Sequence, residues 1–235
     1  MKKAIIFIIF MFVLSSFAFS DITTELKGHY LADETSGNLI DDLGIYNLTQ
    51  AGSVGSVTGI KNGARGIFSD ANRFTGNTFP HTDTSNLTFN VLVNASNFDN
   101  GYGNVYTTGD NNNQNRITLS TNATGHARID VSKYGVTDGC NPRMKTAMTT
   151  NQWYMVTTTF RGDTRNISIY LNGTFEVSCI NTGYTSNATT WIRVGTDVWA
   201  IYDNAFHGAI DEFSIYNRTL SASDVLELYE YIFRH

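Results

Sequence analysis

The chain has 235 residues, with 16 Lys and Arg against 21 Asp and Glu and a formal net charge of −5. Its charged residues form no basic cluster, so nucleic acid and anionic lipid surfaces are excluded as expected partners. Only 2 prolines accompany 20 glycines, and the length suits one domain with a sizeable core.

The N-terminus, MKKAIIFIIFMFVLSSFAFSDITTE, has a short basic start at Lys2 and Lys3, an apolar run from Ala4, and small residues at Ala18 and Ser20. This pattern predicts a signal peptide over residues 1–20, cut between Ser20 and Asp21, with residues 21–235 as one domain. The run is short for a spanning helix, and an uncleaved anchor is the alternative. No later segment is apolar enough to insert in a membrane, so the expected location is secreted or at the cell surface.

Beyond the signal, helical periodicity is absent until Ser221. Short runs rich in Val, Ile, Thr, Tyr and Phe are separated by Gly, Asn and Asp, which predicts a sandwich or barrel. NLTFNVLVNA places Leu87, Phe89, Val91 and Val93 on one face. NRITLSTN, HARIDVSKY and WYMVTTTFRG are further strands. NISIYLNGTFEVSC predicts a hairpin turning at Asn172-Gly173. Cys140 and Cys179, an even pair in an oxidising compartment, are expected to form a disulfide. Sequons begin at Asn47, Asn86, Asn94, Asn122, Asn166, Asn172, Asn187 and Asn217, marking a glycoprotein only if the host glycosylates.

The closing stretch, HGAIDEFSIYNRTLSASDVLELYE, carries two adjacent acids in a strand. Strict alternation puts Asp211 on the same face as Phe213 and Ile215, and Glu212 on the other. A carboxylate facing a core must be solvated at the strand end, bonded to loop amides, or bound to a cation. Ser221 with Asp224 then makes a shortened capping box, and Leu220 with Val225 a hydrophobic staple. Val225, Leu228, Tyr229 and Ile232 recur at helical spacing, so a short amphipathic helix ends the chain.

Several blocks, in order, resemble the laminin-G-like, concanavalin-A-like lectin/glucanase family: HYLADETSGNLIDDLG, GARGIFSDANRF, LTFNVLVNAS, NQWYMVTTTFRGDTRNISIYLNGTFEVS and FHGAIDEFSIYNRTLSASDVLELY. The resemblance covers roughly residues 25 to 231, and its most specific motifs lie in the last third. It implies an all-β, two-sheet antiparallel jelly-roll sandwich with a short C-terminal helix. Ala32 departs from the family's usual aromatic, and Gly101 to Cys140 has no firm match. The resemblance also implies a structural calcium ion, with Asp211 as a ligand beside Glu34 or Asp33.

Hydrolases of this fold need two carboxylates flanking the scissile bond, about 5–5.5 Å apart when retaining. The Glu-x-Asp-x-x-Glu strand pattern is absent, and Asp211 and Glu212 diverge, so no enzymatic activity is expected. The five histidines are scattered and read as surface or loop residues. Sugar recognition calls for aromatic rings and planar polar groups on loops. Trp153 and Trp191 read as core. Trp199, Tyr202, Asp203 and Asn204 form one candidate rim; Tyr102, Tyr106, Asp110 and Asn112 form a second. The expected function is a non-catalytic module that binds an extracellular glycan, with protein-directed adhesion or a structural surface role as the alternative.

Overall fold

The computed structural model describes residues 22–66, 68–82, 85–98, 101–110, 115–133, 140–181, 188–197 and 204–234. The predicted signal segment lies outside them. In chain order the first strands are β1 (Leu26–Tyr30), β2 (Thr49–Ala51), β3 (Gly55–Thr58), β4 (Gly63–Gly66), β5 (Arg73–His81), β6 (Leu87–Ala95) and β7 (Tyr102–Gly109). There follow β8 (Asn115–Asn122), β9 (Ala127–Lys133), β10 (Trp153–Arg161), β11 (Asn166–Leu171), β12 (Thr174–Ile180), β13 (Thr189–Val194), β14 (Gly208–Tyr216) and the helix α1 (Ala222–Arg234).

Two antiparallel sheets result. The first runs β12-β11-β10-β6-β14-β4-β3 with β1 also on β14; the second runs β2-β5-β13-β7-β8-β9. Their inner faces meet in a continuous core. Phe89 of β6 stacks on Tyr106 of β7 at 4.9 Å, and Phe213 of β14 lies 5.7 Å from Tyr30 and 5.4 Å from Tyr106. Leu87, Phe89, Val91 and Val93 share that core, as their alternation predicts. Each such side chain contributes about 1.5–3 kcal/mol when fully buried.

The outer face of the first sheet carries a smaller core under α1, where Leu92, Met155 and Tyr216 pack on Val225, Leu228 and Ile232. Trp153 joins this cluster. The predicted cap is present: Asp224 N–H donates to Ser221 Oγ at 3.2 Å, and Ser221 N–H to Asp224 Oδ2 at 2.9 Å. The hairpin also forms as expected, with Asn172 at φ 49° and Gly173 at φ 78°. Cys140 and Cys179 are disulfide-bonded.

The buried counterpart of these apolar layers is Arg65, 1% exposed. Its guanidinium donates to the carbonyls of Gly55, Gly37 and Val54 and to Gln50 Oε1, with Glu34 Oε2 3.9 Å away. This cation ties β4 to the opening loop, which an unpaired buried charge could not do.

Candidate functional site

Residues paired across antiparallel strands share a face. On the second sheet the register therefore defines three rows pointing away from the core. Asn77, Trp191, Gly109 and Arg116 form one; Thr75, Arg193, Thr107, Thr118 and Asp130 the next; Asn104, Ser120 and Arg128 the third. Ile192, Val194, Ile117, Leu119, Ile129 and Val131 point the other way, into the core. The outer face is polar from edge to edge, and α1 lies on the opposite sheet.

Two aromatic–guanidinium pairs bracket these rows. At one end Arg128 lies 4.4 Å from the centroid of the Tyr102 ring, donates from Nη1 to the Tyr102 hydroxyl at 3.2 Å, and holds Asp130 Oδ2 through Nε and Nη2 at 2.8 and 2.7 Å. Tyr102 is 45% exposed. At the other end the Trp191 indole lies across Gly109, where an added Cβ would come within 2.1 Å of the ring. Trp191 Nε1 donates to the Asp110 carbonyl at 2.6 Å, and Arg193 sits 5.6 Å from the indole centroid. Beside Tyr102 and Arg128 a depression of 230 Å³ is lined by Asn104, Arg116, Ser120, Asp197 and Asn204 among others.

The floor of this face holds two orphans. Thr107 and Ser120 are 0% and 1% exposed, and their hydroxyl oxygens have no hydrogen-bond partner among the described residues. Buried hydroxyls are nearly always satisfied, so each is a donor and acceptor left for something else.

The predicted rims fare differently. Trp199, Tyr202, Asp203 and Asn112 lie outside the described residues. Asn204 stands at the Tyr102 end, where its carbonyl accepts both the backbone N–H and Nδ2 of Asn104 at 2.8 and 2.9 Å. Asp110 stands at the Trp191 end, about 20–25 Å away along β7. The second rim is therefore not one cluster. Tyr106 does not belong to a rim at all: it is 0% exposed, and its hydroxyl meets Thr158 at 2.9 Å. A bulge between Asn104 and Tyr106 shifts the alternation and turns this ring inward. Burial pushes its phenol far above the usual range.

Trp191 was the residue that its β-rich surroundings hid. The signal was present in WIRV: Ile192 and Val194 need one face, so Trp191 and Arg193 take the other. His81 also departs from the surface reading, since it is 2% exposed and bonds Thr108 Oγ1 at 3.1 Å.

A second site lies under α1. There a groove of 810 Å³ is lined by Leu26, Leu43, Leu228 and Tyr231 together with Asp33, Asp211 and Glu212. Asp211 pairs in register with Leu92, a residue of the outer cluster, so it faces this groove and not the core. The expected shared face with Phe213 and Ile215 is thus corrected. A bulge between Asp211 and Ser214, with Glu212 at φ 47°, breaks the alternation.

Asp211 is 3% exposed, and its carboxyl is pushed up to about 7. Burial is the main cause; the Ile60 N–H bond at 3.0 Å opposes it, and the charges of Glu212 and Asp33 add to it. Asp33 grips the same turn through Gly63 N–H at 2.9 Å and Asn62 Nδ2 at 3.0 Å. Glu212 pairs with His29 at 3.1 Å. Asp33 and Asp211 fit the carboxylate part of a calcium ligand set, which needs six to eight oxygens. Glu34 does not fit: Oε1 accepts Ile40 N–H at 2.7 Å and Oε2 faces Arg65. Among the described residues no group of three or more His, Cys, Asp and Glu forms a metal-holding cluster.

A family model described as the concanavalin A-like lectin/glucanases superfamily (Laminin_G_3) matches residues 68–226. Comparison with curated proteins gave no match. Among solved structures, domain 4 of AbnA, an extracellular GH43 arabinanase of Geobacillus stearothermophilus in complex with arabinotriose, aligns at TM-score 0.64 and 18% identity, covering 87% of this chain and 98% of that one. Trypanosoma rangeli sialidase aligns at TM-score 0.65 and 12% identity over 87% of this chain, and the botulinum neurotoxin type G receptor-binding domain at 0.62 and 18% over 88%. The alignments span 32% of the sialidase and 51% of the toxin domain. At these identities the likeness is one of fold.

Proposed function

Because this chain belongs to the concanavalin A-like lectin/glucanase superfamily, we propose that it is a non-catalytic module that binds carbohydrate on the outer face of its second sheet. The observation that carries this reading is the pair of buried hydroxyls, Thr107 and Ser120, without a partner among the described residues and set in a polar face between the exposed Tyr102 with Arg128 and the half-buried Trp191 with Arg193. A saccharide supplies what that face needs: hydroxyls for the orphans and apolar ring faces for Tyr102 and Trp191. The aligned arabinanase domain, solved with arabinotriose, supports the ligand class. A non-catalytic role is supported by the absence of a paired-carboxylate strand motif and by Asp130, which is clamped by Arg128.

Action outside the cytosol is supported by the Cys140–Cys179 disulfide and the N-terminal signal pattern. Among the described residues no helix is long and apolar enough to cross a membrane.

The test is a glycan array with wild type, Trp191→Ala and Arg128→Ala. Saturable binding that weakens about tenfold or more in either variant supports the reading. Silence across the array, or binding indifferent to both changes, overturns it in favour of protein-directed adhesion or a structural surface role.

A calcium ion held by Asp33 and Asp211 is a separate proposal. Its support is a desolvated carboxylate beside a second one, with no cationic side chain paired to either among the described residues. Calcium that raises the melting temperature of wild type but not of Asp211→Ala supports it by mass action. Equal indifference of both proteins removes it.

A further inference from the structure

The outer face of the second sheet concentrates positive charge on an acidic protein. Arg73, Arg116, Arg128 and Arg193 project from it by register, against Asp130 and, just past β13 and just before β5, Asp197 and Asp70, in a chain of net charge −5. Arg73 and Arg193 are neighbours: Arg193 pairs with Thr75, two residues along β5 from Arg73. The Arg193 pKa is pushed down first by burial and next by the charge of Arg73, with Asp197 opposing.

Each guanidinium is anchored at one end on a backbone carbonyl. Arg73 Nη1 donates to Asp70 O, and Arg193 Nη1 to Asp197 O at 2.9 Å. Arg73 Nε is buried and has no acceptor among the described residues. Beside Arg193, in the next strand, stands the orphaned hydroxyl of Thr107. Two like charges held side by side with an unmet donor between carbonyl anchors are stabilised by an anion that accepts from both. Planar guanidinium forks suit an oxyanion of two or three oxygens.

Building on the carbohydrate-binding reading above, we infer that the saccharide is anionic, and that its carboxylate or sulfate group lies between Arg73 and Arg193 with a neighbouring hydroxyl on Thr107.

Titration calorimetry of the purified chain against polygalacturonate, dextran sulfate and neutral linear arabinan tests this. The variants are Arg73→Gln, Arg193→Gln, Arg193→Lys and, as a control by the turn under α1, Lys61→Gln, each first checked for a cooperative melt. The expected result is preference for an acidic polymer, loss of about tenfold or more in each Gln variant, an intermediate Arg193→Lys, and no change in Lys61→Gln. Preference for polygalacturonate or for dextran sulfate identifies the group as carboxylate or sulfate. If Arg193→Gln fails to fold, Arg73→Gln and Arg193→Lys carry the test.

Arabinan bound as well as the acidic polymers, with the arginine variants unaffected, leaves carbohydrate binding standing and overturns the anionic ligand. Equal weakening by Lys61→Gln marks unspecific charge attraction and overturns it too. Silence toward all three polymers and across the glycan array overturns both readings.

Discussion

Asp211 and Phe213 stand two residues apart in one strand yet face opposite sides of the sheet. Phe213 packs on Tyr30 in the core, and Asp211 lines the groove beneath α1. The cause is the bulge at Glu212, whose positive φ inserts one residue out of phase. Asp211 is thereby kept out of the core but deprived of water, and that places its carboxyl near pH 7.

This shift has a definite sign. In metal-free protein the folded pKa of about 7 lies above the unfolded value of about 3.9. The folded state therefore holds a proton that the unfolded chain releases between these values. The associated stability is present below about pH 4 and is lost as pH rises through about 7, by as much as about 4 kcal/mol. Urea titrations across this range in chelator should show the decline in wild type and a flatter profile in Asp211→Asn. Parallel profiles for the two proteins contradict the assignment.

Gly109 should be intolerant of a side chain because the Trp191 indole occupies its Cβ position. Gly109→Ala is expected to destabilise by about 1–3 kcal/mol and to shift tryptophan emission as the ring is displaced. In the Trp191→Ala background the same change should cost less, which a double-mutant cycle measures directly. Additive costs would mean that the two residues do not meet.

Arg65→Met removes the donor to three carbonyls and Gln50, of which only the Val54 carbonyl belongs to a buried residue. A loss of about 1–3 kcal/mol is expected by chemical denaturation, and Glu34→Gln should lose less because Glu34 keeps its distance from the guanidinium and is partly exposed. A large effect in Glu34→Gln and a small one in Arg65→Met would reverse this ranking.

The disulfide joins residues 39 apart in sequence, at the start of the loop before β10 and in the edge strand β12. Loop-closure entropy assigns it about 4 kcal/mol. A Cys140→Ser/Cys179→Ser protein should melt well below wild type, and wild type treated with reductant should fall to the same temperature. Coincident melting of all three would show that the crosslink adds nothing.

Features set by neighbouring residues were legible from the chain. Asn172-Gly173 supplies the two positive φ angles that the hairpin turn needs, and Ser221 with Asp224 satisfies helix N–H groups within one turn. The alternation from Leu87 to Val93 reads correctly because β6 runs without a bulge through that stretch. The same rule fails at Tyr106 and Asp211, where one inserted residue reverses every side chain beyond it. WIRV kept its phase, so its alternation puts Trp191 and Arg193 on the face opposite Ile192 and Val194, against the reading of Trp191 as core. What it lacked was the neighbour strand that sets Gly109 under the indole.

The sequence by itself determined the sandwich class, the turn, the cap and the pairing of the two cysteines, because these follow from local backbone preferences, hydrophobic period and residue count. Only the tertiary structure decided which residues meet: Arg65 with Glu34, Tyr102 with Arg128, Arg73 with Arg193. Strand pairing sets those meetings, and pairing minimises the free energy of the whole core rather than of any segment. The bulges that re-aim Tyr106 and Asp211 are stable only because both sheets are already in place around them.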